Sequence, residues 1–315
     1  MSEQAMTRQK AAYSLATEVL GAEPIIFINP LTVLASPAWR GVEGDIWRAS
    51  TEDTSIILKH YQDDTAFYVD QAPAMLAAQE AGHLGVGPAV LKCVPEDGFL
   101  VLSDLADPWL AGGLHHALDM DLRSAVIAQK RAFQRGVRLE KTISIFDEIE
   151  VLFDITRSER IATHNDIEPF MAFARDASEK MNSLGWDEVP CHRDGNTANL
   201  MVHPEKQVKL IDFDLAANCD PFEDIGAYLI EFFETDGDAR SGFEEWYGSF
   251  HEGLFQRAMI YGVADDLRWG LIGAIMGRRS ERSSLEFSKY AAWRFLRLQM
   301  QAKRSEANDR IRLAA

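Results

Sequence analysis

The sequence predicts an α+β chain in two lobes. A small β-rich N-terminal lobe covers residues 1–102, a short connector 103–106, and a larger, mostly helical lobe 107–315. Three observations point there. The chain has 315 residues, enough for two units of roughly 150 residues each. Short β-rich runs broken by turn residues dominate as far as residue 102, and apolar spacings of three and four dominate from about Asp119 onward. A single β-rich island, at 200–211, interrupts the helical half.

In chain order, residues 5–20 read as a helix, with Ala12, Leu15 and Val19 three and four apart and Gly21 at its end. Residues 46–50 and 54–58 read as a hairpin across Thr51-Glu52-Asp53. Residues 66–83, rich in Ala, Met and Leu, read as a helix despite Pro73, and Gly85-Val86-Gly87-Pro88 stops it. Residues 89–93 and 99–102 form a second strand pair around Glu96-Asp97-Gly98. In the C-terminal half, 222–234, 243–260, 264–277 and 286–303 read as helices. The island is a hairpin of 200–202 and 208–211 across His203-Pro204-Glu205-Lys206-Gln207. Two lobes leave a cleft between them, a preferred place for a small molecule.

Composition narrows the function classes. Hydrophobic residues make up 47% and charged residues 26%, which excludes global disorder. The net charge of −17 argues against a nucleic-acid partner gripped through a broad basic face. It suits solubility and is compatible with a cationic substrate. Three cysteines without a CxxC pair argue against a zinc site or a disulfide framework. No signal-peptide order and no long apolar run appear, so the expectation is a cytoplasmic chain with no membrane span.

The chemistry sits in residues 191–226. His192-Arg193-Asp194 is followed by Asn199 five residues after the aspartate, then by Ile211-Asp212-Phe213-Asp214. The hairpin between them brings Asn199 and Asp212 to one end of a two-stranded ribbon. Phosphoryl transfer needs such a set. One carboxylate orients the attacking hydroxyl and accepts its proton, while an amide oxygen and a second carboxylate hold Mg²⁺ on nucleotide phosphates. Hard oxygen ligands suit that ion.

These residues resemble the aminoglycoside phosphotransferase and choline/ethanolamine kinase superfamily, whose fold is similar to that of protein kinases. His192, Asp194, Asn199 and Asp212 match its His-x-Asp-x4-Asn and Ile-Asp-Phe elements. The resemblance implies that Asp194 is the catalytic base, that Asn199 and Asp212 are Mg²⁺ ligands, and that His192 is structural. It implies that Asp224, in Asp224-Ile225-Gly226, braces the catalytic loop. It assigns the phosphates of ATP to Lys59 and to a loop over residues 40–47 containing Gly41 and Gly44. It assigns the adenine to backbone groups at Ser103 to Leu105. The usual helix glutamate partner of the lysine is replaced by Asp70, Gln71 or the late Glu80.

The nearest branch is that of choline/ethanolamine kinases. Trp269-Gly270-Leu271, Ser283-Ser284-Leu285-Glu286-Phe287, Tyr290 and Arg294-Phe295 look like its C-terminal block. The resemblance implies an aromatic cage for a cationic amino alcohol, with Trp269 and Tyr290 as walls and Glu231 as the acidic partner. Asp214 is a further candidate substrate contact. Ile272 and Leu215 stand where two more aromatics are expected. The expected activity is phosphorylation of a small-molecule alcohol, with room for a homodimer. Aminoglycoside phosphorylation and a non-catalytic nucleotide-binding pseudokinase are the alternatives.

Overall fold

The computed structural model describes residues 3–30, 39, 41–282, 285–301 and 304–315. Arg40 of the expected phosphate loop and Ser283-Ser284 of the C-terminal block lie outside them. Helix α1 (Glu3–Leu20) precedes strand β1 (Ile26–Ile28), β2 (Gly44–Ser50) and β3 (Ser55–Tyr61). Helix α2 (Gln71–His83), β4 (Val90–Val94) and β5 (Phe99–Ser103) complete the N-terminal part. The five strands form one antiparallel sheet in the order β1-β2-β3-β5-β4.

The two-residue period of the strands sorts the sheet's faces. Trp47, Ala49, Ile56, Leu58, Phe99 and Val101 pack with Ala12 and Ala16 of α1 into a small core. The alternate positions Ile46, Ile57, Lys59, Tyr61, Leu100 and Leu102 therefore face the opposite way, into a cavity. Lys59 pairs in register with Ile46 on one side and Leu100 on the other, so it projects from the middle of the sheet.

The second helix begins five residues later than its composition suggests. Its first helical bond runs from the Ala74 amide to the Asp70 carbonyl, at 3.1 Å. Pro73 thus occupies the first turn, where an amide has no intrahelical partner to lose.

The C-terminal part contains β6 (Leu110–Ala111), α3 (Met120–Gln134), α4 (Ile145–Ser158), α5 (Ile167–Leu184) and β7 (Val189–Cys191). The hairpin of β8 (Leu200–Val202) and β9 (Val208–Leu210) follows, with β6 on its outer edge; β10 (Ala217–Cys219) pairs with β7. Helices α6 (Phe222–Phe232), α7 (Asp236–Tyr247), α8 (Glu252–Arg279), α9 (Phe287–Gln301) and α10 (Arg304–Leu313) close the chain.

The two helices expected at 243–260 and 264–277 are divided differently. Gly248, at φ +89°, ends α7, and α8 then runs unbroken through Gly262. Gly262 stays helical because it is a packing position: a Cβ there would lie 2.5 Å from Ile230 Cγ2. A Cβ on Gly226 would lie 2.3 Å from the Ala258 carbonyl oxygen. The pair lets α6 press against α8, which is buried from Phe255 to Met276 and forms the centre of the larger core. Among the described residues, no helix is long and apolar enough to cross a membrane.

Candidate active site

The loop after β7 carries Asp194. Its Oδ1 accepts the Asn196 amide at 2.6 Å and its Oδ2 accepts Asn199 Nδ2 at 2.8 Å. The Asn199 carbonyl accepts the Ile211 amide at 3.0 Å, which places Asp212 beside it, as the ribbon reading requires. Arg193 and Asp212 both sit at positive φ, +63° and +66°, a strained setting that the surrounding bonds must enforce. Around Arg193 the enforcement comes from Asp224. Its carboxylate accepts the amides of His192 (3.2 Å) and Arg193 (2.9 Å), Lys130 Nζ (3.0 Å) and Gln134 Nε2 (3.2 Å). His192 bridges the carbonyls of Asp194 and Ile211, at 3.0 Å each, and packs edge-on against Phe213. It is a brace.

Lys59 reaches across from the sheet to Asp212 at 2.8 Å and Asp214 at 2.6 Å. Those are its carboxylate partners, and none of the helix candidates fills that role. Glu80 accepts the Val137 amide, Asp70 stands exposed at the start of α2, and Gln71 lies against Gly98. Asp214, expected at the substrate, belongs to the lysine cluster instead. Glu43 completes that cluster and was not foreseen. Glu43, Asp212 and Asp214 each offer an oxygen within 4.8 Å of the others. Glu43 is buried and held by Trp39 Nε1 at 2.6 Å and the Tyr68 hydroxyl at 2.9 Å.

Three carboxylates, Glu43 and Asp214 buried and Asp212 half-buried, face one ammonium, and the proton affinities register the imbalance. Burial opposes the charge on Lys59, yet Asp212 and Asp214 outweigh it and keep the ammonium protonated. Burial raises Asp212 too, but Lys59 prevails and holds it ionised. Burial, then the charge of Asp212, pushes Asp214 well above the usual carboxyl range. The same two causes push Glu43 up to about 7. The residues fit a divalent cation, which would supply the missing positive charge to a hard-oxygen set.

This gives a pH prediction for the metal-free protein. With Glu43 raised, the folded state binds that proton more tightly than the unfolded state does. Stability from this group is complete below the ordinary carboxyl range and is lost as pH rises through about 7. Glu43→Gln should therefore stabilise by on the order of 2 kcal/mol at pH 8 and by little at pH 4. Thermal melts at the two pH values, without divalent ions, check this.

The cluster opens into a cavity of about 490 Å³ between the sheet and the β8–β9 ribbon, lined also by Gly41, Gly44, Ser103 and Leu105. Gly44 has no room for a side chain: a Cβ would lie 2.7 Å from Lys59 Cγ. Gly41 sits at φ +62°. The Ser103 amide already donates to the Ala89 carbonyl at 2.8 Å, and the Asp104 amide to the Ser55 carbonyl at 3.2 Å. The Ser103 and Asp104 N–H groups are therefore engaged within the fold, whereas the amides of Leu105 and Ala106, which line the same cavity, make no backbone bond among the described residues.

The expected cation cage is built but filled from within. Glu231 Oε1 accepts Arg294 Nη1 at 2.8 Å and Arg297 Nη2 at 2.7 Å. Burial raises Glu231, but Arg297 and Arg294 overcome it and hold the carboxyl at about 2. Arg294 Nε donates to the Tyr290 hydroxyl at 2.8 Å, and its guanidinium lies 5.1 Å from the Tyr290 ring and 6.0 Å from that of Trp269. Trp39 covers the same two rings at 4.5 and 5.5 Å. Glu231, Trp269 and Tyr290 thus come together as expected, around the chain's own arginine.

A bilobal fold, a braced aspartate on a loop and a lysine–carboxylate cluster in the cleft define a phosphotransferase of the kinase-like class. The chain belongs to the Phosphotransferase enzyme family (APH), whose sequence pattern matches residues 35–260. Among solved structures, a choline/ethanolamine kinase family protein from Mesorhizobium loti is 19% identical, with a TM-score of 0.76 over 95% of this chain and 98% of the other. Choline kinase LicA from Streptococcus pneumoniae is 16% identical, with a TM-score of 0.75 over 93% and 98%. Spectinomycin phosphotransferase APH(9)-Ia, solved with ADP and spectinomycin, is 11% identical, with a TM-score of 0.57 over 96% and 97%. At these identities the likeness is one of fold. No curated protein matches the sequence.

Proposed function

We propose that the enzyme transfers the γ-phosphoryl group of ATP, as its Mg²⁺ complex, to a hydroxyl of a small-molecule alcohol. One observation carries this: Asp194 is bonded to Asn199, Asn199 to the Ile211 amide, and the next residue, Asp212, to Lys59 at the mouth of the nucleotide-sized cavity. Fold neighbours solved with AMP and with ADP support a nucleotide in that cavity. In this reading residues 1–102 form the clamping lobe, 103–106 the hinge and 107–315 the catalytic lobe.

Asp194 orients the acceptor hydroxyl and takes its proton. Asn199 steadies Asp194 through its amide nitrogen, which leaves its amide oxygen for the metal. Glu43, Asp212 and Asp214 would hold Mg²⁺, which when bound neutralises phosphate charge. Lys59 exchanges its carboxylate partners for phosphate oxygens. Catalysis is then chiefly positioning and electrostatics.

For the acceptor, the choline- and ethanolamine-type amino alcohols expected from sequence remain candidates by their hydroxyl, but the Glu231 cage does not recommend their cation. The test is ADP release from Mg-ATP over choline, ethanolamine, other amino alcohols, sugars, nucleosides and aminoglycosides. Turnover on any of them supports the reading; absence of both turnover and nucleotide binding overturns it in favour of a pseudokinase. Asp212→Ala should abolish Mg²⁺-dependent nucleotide binding, measured by calorimetry with and without the ion. Unchanged metal dependence would remove Asp212 from the ligand set.

A further inference from the structure

We propose, on the phosphotransferase reading above, that the acceptor alcohol carries a carboxylate and that Lys141 holds it in a second cavity beside the catalytic loop. This cavity, of about 520 Å³, is lined by the stretch 66–72 and by Lys141, Glu148, Leu215, Arg268 and Ile272 among others. It adjoins the loop that bears Asp194. The Leu215 carbonyl accepts Arg193 Nη1 at 3.2 Å, and Arg268 Nη2 donates to the Arg193 carbonyl at 2.9 Å, one residue before Asp194. Leu215 and Ile272 are the two positions where aromatic cage walls were expected. Their smaller side chains line this space instead.

The charges in the cavity select the ligand. Lys141 is half-buried and its ammonium makes no hydrogen bond or ion pair among the described residues. Its backbone is fixed: the Lys141 carbonyl accepts the Asn218 amide at 2.8 Å and Asn218 Nδ2 at 2.9 Å, and Asn218 is fully buried. Arg268 is 1% exposed, yet its Nε is a buried donor without an acceptor. Glu148 is already committed. It is bound by both Arg193 and Arg268, which overcome its burial and hold the carboxyl at about 2. Asp70 stands exposed at the rim. One uncommitted cation, Lys141, thus faces a space whose main carboxylate is neutralised, while Arg268 spends its terminal nitrogens on Glu148, Asp265 and the Arg193 carbonyl and keeps its Nε buried. The cage that would have taken a cation holds Arg294. The net charge of −17 does not oppose this, because exposed charges are screened beyond about 8 Å at physiological salt.

Matched acceptors that differ by one carboxylate provide the test: serine against ethanolamine, homoserine against 3-aminopropanol, and glycerate against ethylene glycol. ADP release is measured for each with the wild type, Lys141→Met and Lys141→Gln. The expected result is that the carboxylate member of at least one pair is preferred in kcat/KM by about ten- to a hundred-fold, the span of a charge-assisted hydrogen bond. Both variants should erase that preference through KM for the acceptor, with KM for ATP unchanged as evidence of an intact fold. Preference for the uncharged or cationic members, or a carboxylate preference that survives both variants, overturns the proposal. Silence on all three pairs with turnover on another acceptor also overturns it, while leaving the kinase reading intact. Silence on every acceptor with loss of nucleotide binding removes both.

Discussion

Asp194→Ala is expected to lower kcat by about a thousand-fold or more while KM for ATP changes little. A positioned proton acceptor contributes about 10²- to 10⁴-fold, and here the same carboxylate also sets the direction of attack. The nucleotide side should be spared because Asp194 does not line the cavity that Lys59, Asp212 and Asp214 share. The fold should be spared as well. Asp194 is partly exposed, and its removal frees the Asn196 amide and the buried Asn199 side-chain amide but strands no buried charge. Thermal melts should agree with the wild type within a few degrees. Near wild-type turnover would mean that another group takes the proton. A matching loss of ATP binding would mean that Asp194 works through the metal.

Legibility in the sequence followed contact range. The two N-terminal hairpins were readable because turn residues and alternating side chains are local signals. The set His192, Asp194, Asn199, Asp212 was readable because one short hairpin fixes its geometry. Glu43 was not, because its meaning depends on Tyr68 and Asp212, 25 and 169 residues further on. Strand β1 has three residues, too few to show a period. The unbroken α8 was hidden by Gly262, whose reason for being glycine lies on α6. Glu231 was placed correctly beside Trp269 and Tyr290, but its partners were not. Arg294 and Arg297, three apart on α9, share one helix face and could have been read as a clamp for an acid. No spacing rule connects them to a residue more than sixty positions earlier.

Asp224→Ala should damage the enzyme more broadly than Asp194→Ala. Asp224 is fully buried, and its loss strands the ammonium of Lys130, itself 2% exposed, along with the amides of His192 and Arg193. Breaking a buried ion pair by deleting one partner costs about 3–5 kcal/mol, enough to lower Tm by roughly 5–8 °C in a chain of this size. Activity should fall further than stability explains. Arg193 sits at φ +63° because Asp224 holds its amide, and Lys130 also donates to the Asp194 carbonyl at 2.8 Å. Without the carboxylate the loop relaxes and the base moves. The double variant Asp224→Leu with Lys130→Met separates the two effects, since it removes both charges and so recovers part of the lost Tm. The loop amides remain unpaired in it, so kcat should stay low. If the double variant restored kcat together with Tm, Asp224 would matter only as half of an ion pair, and the geometry of the catalytic loop would have to be held by His192 and its carbonyl partners alone.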